Sequence, residues 1–427
     1  MKLLRALFVC AILLWLVACV PAPVVPTPTP TAAPLPTATI SPRLEFDASR
    51  ALEHNRMLAV TIGARVAGSE NATRASDYVA QQFSAYGYGV ELQRFMFEGW
   101  EDLGTRVQIT APEARGLATR PIQFSPSGNV EVELVAVGGV GDASDFAKVN
   151  IKERVALVER GTLAFSDKAQ NAAKAGAVAV IVYNNAPGAF GGTLRDRVTI
   201  PVLGVSGRDG QMLRDLLAKG AVRVKIASET RIEQKTGRNV IATRRGSGDS
   251  IIVLGAHYDS VAEGTGAVDN GSCTAVLLEV ARVLVSKERK HTLVFIAFDA
   301  EELGLLGSRH YVERLADGTR AKIVAMLNFD MLGGGSRPLL AGGDGSVGKM
   351  ARDAAKELSI EARNFSLGST SGSDHQSFQR IGIDTVMFSR GYDLLHTPQD
   401  TIDQVRVEFL AETGCVAVRV VEEAEGK

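Results

Sequence analysis

Cysteine is scarce in this sequence. The 427 residues include only four cysteines, namely Cys10, Cys19, Cys273 and Cys415. Because Cys10 and Cys19 lie in the N-terminal segment, two thiols remain for the body of the chain, too few for a disulfide framework. Cys273 falls in an apolar stretch that we predict to be a buried helix, so we expect a core thiol there. A single Cys273–Cys415 bridge stays open as an alternative.

Net charge is also nearly absent. Lys and Arg number 47 against 48 Asp and Glu, which gives a net charge of −1 at pH 7. No dense cluster of basic residues stands out, so the sequence argues against nucleic acid as a partner. With 45% hydrophobic and 22% charged residues, the composition is that of a globular protein. The length suits two folded domains with additional segments.

The N-terminal apolar run is too short to span a membrane as a mature helix. Lys2 and Arg5 precede an apolar stretch at residues 7–17, which is typical of a signal peptide. The stretch Leu16-Val17-Ala18-Cys19 resembles a bacterial lipobox, and this resemblance implies cleavage before Cys19 and a lipid on Cys19. We therefore predict a lipoprotein signal peptide at residues 1–19 and an exported protein anchored to the outer face of the cell membrane. An ordinary secretory peptide is the alternative.

Residues 20–45 are rich in Pro and Thr and predict an extended linker rather than a folded core. Residues 105–235 form a block of short β-rich segments with one Ala-rich helix. The run VERGTLAFSDKAQNAAKAGAVAVIVYNN in this block resembles the protease-associated (PA) domain. The resemblance implies an inserted β-rich PA domain at residues 105–235, with the substrate or another protein as its partner.

Strands and helices alternate after residue 236. Apolar runs at residues 250–255, 291–298 and 323–329 predict strands, and residues 272–286 and 301–315 predict helices. Such alternation predicts an α/β fold, a mainly parallel mixed sheet flanked by helices. We assign residues 46–104 and 236–427 to this one domain, with the 105–235 block as an insertion.

Acidic and imidazole side chains stand at the ends of the predicted strands. Because the carboxyl ends of parallel strands meet at one edge of a sheet, these side chains are expected to form one site. A mixed set of nitrogen and oxygen donors suits divalent ions, zinc above all. Glu301 lies beside one candidate ligand, where a general base would stand. The five candidate metal ligands are His257, Asp269, Glu302, Asp330 and His396.

Five motifs together resemble the M28 family of zinc aminopeptidases: HYDS, VDNGS, FDAEELGLLGS, NFDM and HTPQD. The resemblance implies the zinc exopeptidase fold, a PA insertion and two Zn²⁺ ions per chain. It implies that Asp269 bridges the ions, that His257 and Asp330 complete one site, and that Glu302 and His396 complete the other. Glu301 is the implied general base. The resemblance also implies a cis peptide between Asp269 and Asn270.

Residues around the ligands carry further expectations. Asp259 is expected to accept the free ring N–H of His257, with a simple turn residue as the alternative. His375, in Ser373-Asp374-His375, is either a pocket residue or a polar loop residue. Leu395 departs from the family pattern, in which many members have Tyr before the last His ligand, and Tyr392 lies nearby. We expect the remaining histidines at the surface: His54, His291 and His310.

The leading functional hypothesis is a di-zinc aminopeptidase, which hydrolyses N-terminal residues from peptides. Two alternatives stay within the same fold, a glutaminyl cyclase and a carboxypeptidase, because a fold does not determine the substrate. The third alternative is a non-catalytic, lipid-anchored binding protein. The complete ligand set, together with Glu301, argues against that alternative.

Overall fold

The computed structural model describes residues 46–194, 196–285, 287–368 and 372–426. The predicted signal peptide (residues 1–19) and the whole of the predicted linker (residues 20–45) lie outside this range. In the described part of the chain, no helix combines the length and hydropathy needed to cross a bilayer.

One mixed sheet runs through the described part of the chain and holds fourteen strands. They are β1 (Gly89–Ala111), β2 (Arg115–Leu117), β3 (Thr119–Pro121), β4 (Gly128–Ala136), β5 (Val155–Glu159), β6 (Ala179–Tyr183), β7 (Val202–Val205), β8 (Val222–Arg244), β9 (Ile251–His257), β10 (Thr292–Phe298), β11 (Ile323–Phe329), β12 (Leu339–Gly342), β13 (Ala362–Arg363) and β14 (Thr385–Ser389).

The described α-helices are α1 (Ala48–Arg56), α2 (Glu70–Ala85), α3 (Ala143–Phe146), α4 (Phe165–Lys174), α5 (Gly207–Leu217), α6 (Ser272–Leu284), α7 (Leu306–Glu313), α8 (Asp317–Arg320), α9 (Ser346–Glu357), α10 (His375–Gln379) and α11 (Val407–Glu425). Short π-helical turns lie at Met57–Ile62 and Ala267–Gly271, and a 3₁₀ turn lies at Ile402–Gln404.

The strand order is β13-β12-β14-β11-β9-β10-β8-β4-β5-β6-β7-β3, with β1 paired to β8 and β2. In its first half, β10, β9, β11 and β14 are parallel neighbours, whereas β8 and β12 pair antiparallel with β10 and β14. Strands β9 to β11 are almost wholly apolar because helices cover both faces of this part of the sheet. The predicted fold class, a mainly parallel mixed sheet flanked by helices, is confirmed.

Two long strands connect two separate hydrophobic cores. Strands β1 and β8 are 23 residues each and pair antiparallel from Gly89↔Thr243 to Ala111↔Arg223. At one end β8 also pairs with β10, and at the other with β4. The two strands run unbroken past residues 104 and 235, so both sequence-based domain boundaries fall inside a strand.

Each end of this ribbon has apolar layers on both faces of the sheet. Around β9 to β11, one layer includes Val276 and Leu277 of α6, and the other includes Phe298 and Phe378. Around β5 to β7, two further layers include Leu213 of α5 and Ala169 and Ala172 of α4. The two ends therefore have cores of their own.

The structure corrects two expectations about single side chains. His54 and His291 are buried, at 6% and 8% exposure, whereas we expected them at the surface. His310 is partly buried and its ring packs at a tilt against Phe95, with 5.1 Å between ring centroids. Cys273 and Cys415 are both free and buried, so the alternative of a bridge between them is wrong and the expected core thiol is confirmed.

Candidate metal centre and active site

The candidate ligands lie at one edge of the sheet. His257 is the last residue of β9, and Asp330 directly follows β11. Glu302 lies in the turn after β10, and Asp269 lies in the π-helical turn before α6. His396 lies in the loop after β14 and has a positive φ of 56°. Since these strands are parallel, their carboxyl ends bring the five side chains together, as expected from the positions of these residues near strand ends in the sequence.

The distances place all five ligands in one cluster. The His257 Nε2 atom lies 3.3 Å from Asp269 Oδ1 and 3.5 Å from Asp330 Oδ1. The His396 Nε2 atom lies 3.2 Å from Asp269 Oδ2 and 2.9 Å from Glu302 Oε2. Each oxygen of Asp269 thus faces a different imidazole, which is the arrangement that a carboxylate shared between two ions requires.

The cluster fits divalent metal ions. Two groups of three residues could each hold a metal ion, and within each group the donor atoms lie within 4.8 Å of one another. The groups are His257 with Glu301 and Asp330, and His257 with Asp269 and Glu302. Four carboxylates converge here, and among the described residues no Lys or Arg lies at ion-pair distance from them. Within the described ranges, the Glu302 Oε1 atom is buried and has no hydrogen-bond partner. Converging buried carboxylates of this kind need a compensating cation.

The pKa values of the residues in the cluster show the same need for positive charge. Burial lowers the pKa of His396, but the hydrogen bonds that its ring donates to Asp269 and Glu302 outweigh burial and raise this pKa to about 10. Burial, with Asp269, raises the pKa of Glu302 to about 7. Burial also raises the pKa of Glu301 well above its usual range. A bound cation would favour the ionised carboxylates and the neutral imidazoles.

Asp259 supports the ligands through the backbone as well as through His257. Its carboxylate oxygens accept the backbone N–H groups of Glu301 (3.1 Å) and Glu302 (3.2 Å). The His257 Nδ1 atom lies 3.5 Å from Asp259 Oδ1 and 3.3 Å from the Asp259 carbonyl oxygen. The expected contact with His257 is therefore long, and the shorter contacts hold the turn that carries the candidate base.

That turn replaces the first part of a predicted helix. We expected a helix over residues 301–315, but α7 begins at Leu306. Ala300 and Leu305 have positive φ values of 56° and 62°, which an α-helix does not accept. The turn lets the adjacent Glu301 and Glu302 point in different directions, toward different sides of the cluster.

Asp400, in the HTPQD motif, has a role that the sequence did not reveal. Its carboxylate accepts the backbone N–H groups of Val268 (2.8 Å) and Asp269 (3.1 Å). The Tyr392 hydroxyl donates to the same carboxylate at 3.3 Å. Tyr392 is thus directed at Asp400, and nothing in this contact makes it a replacement for the tyrosine that many family members carry at the position of Leu395.

Asn270 connects two of the ligand segments. The Asp269–Asn270 peptide is cis, as the resemblance implied. The Asn270 Nδ2 group donates to the Phe329 carbonyl oxygen at 3.0 Å, and Asn270 Oδ1 accepts the Met331 N–H at 3.3 Å. These two contacts flank Asp330, so the positions of Asp269 and Asp330 depend on each other.

His375 is buried rather than an exposed loop residue. It is 7% exposed, and its Nδ1 atom has no hydrogen-bond partner among the described residues. Burial lowers its pKa to about 4. The adjacent Asp374 is fully buried, and its charge contributes to the raised pKa of Glu301. Asp374 therefore belongs to the polar surroundings of the cluster.

Comparison with known proteins gives the same reading of the fold. The profile of Peptidase family M28 matches residues 239–421, and that of the PA domain matches residues 130–213. Aminopeptidase YwaD of Bacillus subtilis (strain 168) is 32% identical over 407 residues, which cover 90% of this chain and 86% of that protein.

Two solved structures are similar over most of their length. The aminopeptidase from Aneurinibacillus sp. strain AM-1 superposes with a TM-score of 0.80 at 33% identity, covering 89% of this chain and 94% of that one. The structure of BSAP, a zinc aminopeptidase from Bacillus subtilis, gives a TM-score of 0.76 at 30% identity and covers 89% of this chain and 96% of that one.

Proposed function

The chain belongs to peptidase family M28, and from that premise we propose that it is a di-zinc aminopeptidase that removes N-terminal residues from peptides. The observation that carries the proposal is Asp269, whose two oxygens face the two imidazoles of one five-ligand cluster. The similarity to aminopeptidases favours this activity over a glutaminyl cyclase or a carboxypeptidase.

The residues divide between two ions. His257 and Asp330 would hold one Zn²⁺, Glu302 and His396 would hold the other, and Asp269 would be a ligand of both. When bound, the two ions polarise the scissile carbonyl and lower the pKa of the attacking water.

Glu301 acts as the general base. Its carboxylate is 11% exposed, and its Oε2 atom lies 3.9 Å from His257 Nε2, at the edge of the ligand cluster. From this position Glu301 takes the proton of the attacking water and passes it to the leaving amine. Asp259 keeps the base in place by accepting the N–H groups of residues 301 and 302.

The test replaces Glu301 by Gln, which removes the base but keeps the size of the side chain. We expect zinc content to stay near two per chain, while hydrolysis of aminoacyl anilides falls by about 10²- to 10⁴-fold. The matched control is Glu313→Gln, at the exposed end of α7 on the same segment, with wild-type activity expected.

Three results would contradict the proposal. Wild-type activity in Glu301→Gln would show that the base is assigned wrongly. One zinc per chain with cyclisation of N-terminal glutamine would favour the cyclase. Cleavage of N-blocked peptides from the C-terminus would favour the carboxypeptidase.

We further propose that the enzyme is exported and anchored to the membrane by a lipid on Cys19. The support is the basic start of the sequence, the apolar stretch at residues 7–17 and the lipobox-like residues 16–19. The Pro/Thr-rich linker then separates the folded part from the membrane. Replacing Cys19 by Ala should move the protein from the membrane fraction to the soluble fraction. A wild-type protein already found in the soluble fraction would contradict the anchor.

We also propose the division into a peptidase domain (residues 46–104 and 236–427) and an inserted PA domain (residues 105–235). The match of the PA profile and the separate apolar layers around β5 to β7 support it. The inserted PA domain contacts the peptide substrate or another protein.

A further inference from the structure

Arg65 is a fully buried cation whose hydrogen bonds go to backbone carbonyls. A buried guanidinium usually pairs with a carboxylate, yet none lies at ion-pair distance from Arg65 in the part of the chain that the structure describes. Its Nε donates to the Tyr258 carbonyl oxygen at 2.7 Å. Its Nη1 donates to Thr265 O at 2.6 Å and Gly63 O at 3.1 Å, and its Nη2 to Gly266 O at 2.8 Å.

Three of these carbonyls, those of Tyr258, Thr265 and Gly266, lie at the two ends of one loop, residues 258–266, which we call the ligand loop. It begins directly after His257 and ends three residues before Asp269. A guanidinium that binds residue 258 at one end and residues 265 and 266 at the other fixes the distance between the two ends. Because the guanidinium group is planar and rigid, it fixes this distance more tightly than the flexible ammonium group of a lysine could.

Two further contacts attach the backbone of Arg65 to the same loop. The Arg65 N–H donates to Ser260 Oγ at 2.9 Å, and the Ser260 N–H donates to the Arg65 carbonyl oxygen at 3.3 Å. Gly266 has a φ of 58°, and a Cβ there would lie 2.9 Å from Arg65 Nη2. The loop thus closes around the guanidinium.

The charge of Arg65 also suits this place. Burial lowers its pKa to about 10, against the opposing effect of Asp259, Asp400 and Asp269. Arg65 therefore remains a cation at neutral pH. Its charge interacts with the carboxylates of the cluster, but its side-chain N–H groups donate to backbone carbonyls. The carboxylate oxygens therefore stay available for metal ions.

We propose that Arg65 is a positioning residue for the metal centre. By binding both ends of the ligand loop, Arg65 holds His257 and Asp269 at the spacing that two ions require. The inference rests on the proposed function. It assigns Arg65 no contact with substrate or metal and makes metal affinity the quantity that depends on it.

The test measures the zinc dissociation constant by competition with a chromogenic chelator, on the full chain. Arg65→Met should raise the dissociation constant by about 10- to 100-fold, the loss typical for residues that orient metal ligands. Arg65→Lys keeps the charge but loses the planar guanidinium group, so we expect a smaller rise. The visible spectrum of the cobalt-substituted protein should shift in both variants, because it reports the ligand geometry.

The matched control is Lys168→Met. Lys168 is likewise fully buried, and its Nζ donates to the backbone carbonyls of Val140 and Arg160, far along the chain in the PA block. This variant should lower the thermal midpoint of unfolding and leave the zinc dissociation constant unchanged.

The outcomes separate the two proposals. If Arg65→Met does not fold, Arg65→Lys carries the test. Wild-type zinc affinity in a folded Arg65 variant would overturn the positioning role, and so would an equal loss of affinity in Lys168→Met. If the wild-type chain itself bound no zinc, the proposed function would fail and this inference with it.

Discussion

Two carboxylates outside the ligand set act in the same way. Asp259 accepts the backbone N–H groups of residues 301 and 302, and Asp400 accepts those of residues 268 and 269. Each therefore holds a ligand-bearing turn by its main chain and leaves the side chains free to face the metal. Charge-assisted bonds of this kind are stronger than neutral ones, which suits turns that must hold converging carboxylates.

His54 is held as a neutral imidazole between two tyrosines. Its Nδ1 atom lies 2.6 Å from the Tyr78 hydroxyl oxygen, and its Nε2 atom lies 3.0 Å from that of Tyr86. Burial lowers its pKa from 6.5 to about 4, and the nearby Arg50 adds to the shift. The imidazole can donate with one nitrogen and accept with the other only while it stays neutral.

This setting predicts a pH dependence of stability. Because the folded pKa lies below the unfolded value, the unfolded chain binds more protons between pH 6.5 and 4. The contribution of His54 is complete above pH 6.5 and is lost as the pH falls toward 4. In His54→Gln, the slope of the unfolding free energy against pH should be shallower by up to about 1.4 kcal/mol per pH unit.

Urea unfolding of both proteins at pH 7, 6 and 5, with a chelator present, measures this slope. The other titrating groups are common to both proteins, so the difference between them isolates His54. Equal slopes would show that His54 takes up its proton in the folded state as readily as in the unfolded state.

At the scale of elements, the buried strands were the most predictable. The run at residues 323–329 was predicted with the bounds that β11 has, because a strand covered on both faces is apolar throughout. His257 was expected two residues beyond its strand but is its last residue. His257 pairs with Phe298 of the neighbouring strand β10. This pairing extends β9 by two residues and cannot be predicted from the sequence around His257 alone.

Elements without a clear apolar pattern were predicted less well than the buried strands. Strands β1 and β8 cross the domain boundaries predicted at residues 104 and 235, because the middle of the β1–β8 ribbon is largely exposed and does not alternate. The helix predicted from residue 301 starts at Leu306, because Asp259 holds the preceding turn from 42 residues away in sequence.

The same limit applies to the site. The five candidate ligands and Glu301 could be found because their side chains carry the chemistry and stand near strand ends. Arg65 and Asp400 could not, since they act on backbone groups of distant segments. No residue type or spacing in the sequence indicates a contact between a side chain and the backbone of a distant segment.

At the scale of the whole molecule, the candidate metal centre and the 105–235 block belong to different parts of one sheet. All five candidate ligands lie outside residues 105–235. Arg120 of the block reaches the ligand loop, with its Nη1 atom 3.4 Å from Glu263 Oε1, but this pair is exposed and contributes little to stability. The main connection is the β1–β8 ribbon itself.

This arrangement predicts that the block can be removed without loss of the metal centre. Asp102 and Thr230 are partners across the ribbon, so residues 103–229 can be replaced by an Asn-Gly turn that closes a hairpin. We expect zinc to stay near two per chain and hydrolysis of aminoacyl anilides to stay close to that of the intact protein. If the block contacts the substrate, KM for longer peptides should rise while kcat for the anilides is kept.

Arg120→Ala is the control for this experiment, because it breaks the contact with Glu263 and leaves the block in place. Unchanged kinetics in Arg120→Ala, together with a raised KM for long peptides in the shortened chain, would assign the effect to the block as a binding surface. Loss of zinc from the shortened chain would contradict the prediction. It would mean that the ribbon needs the core around β5 to β7 in order to hold the metal-bearing sheet.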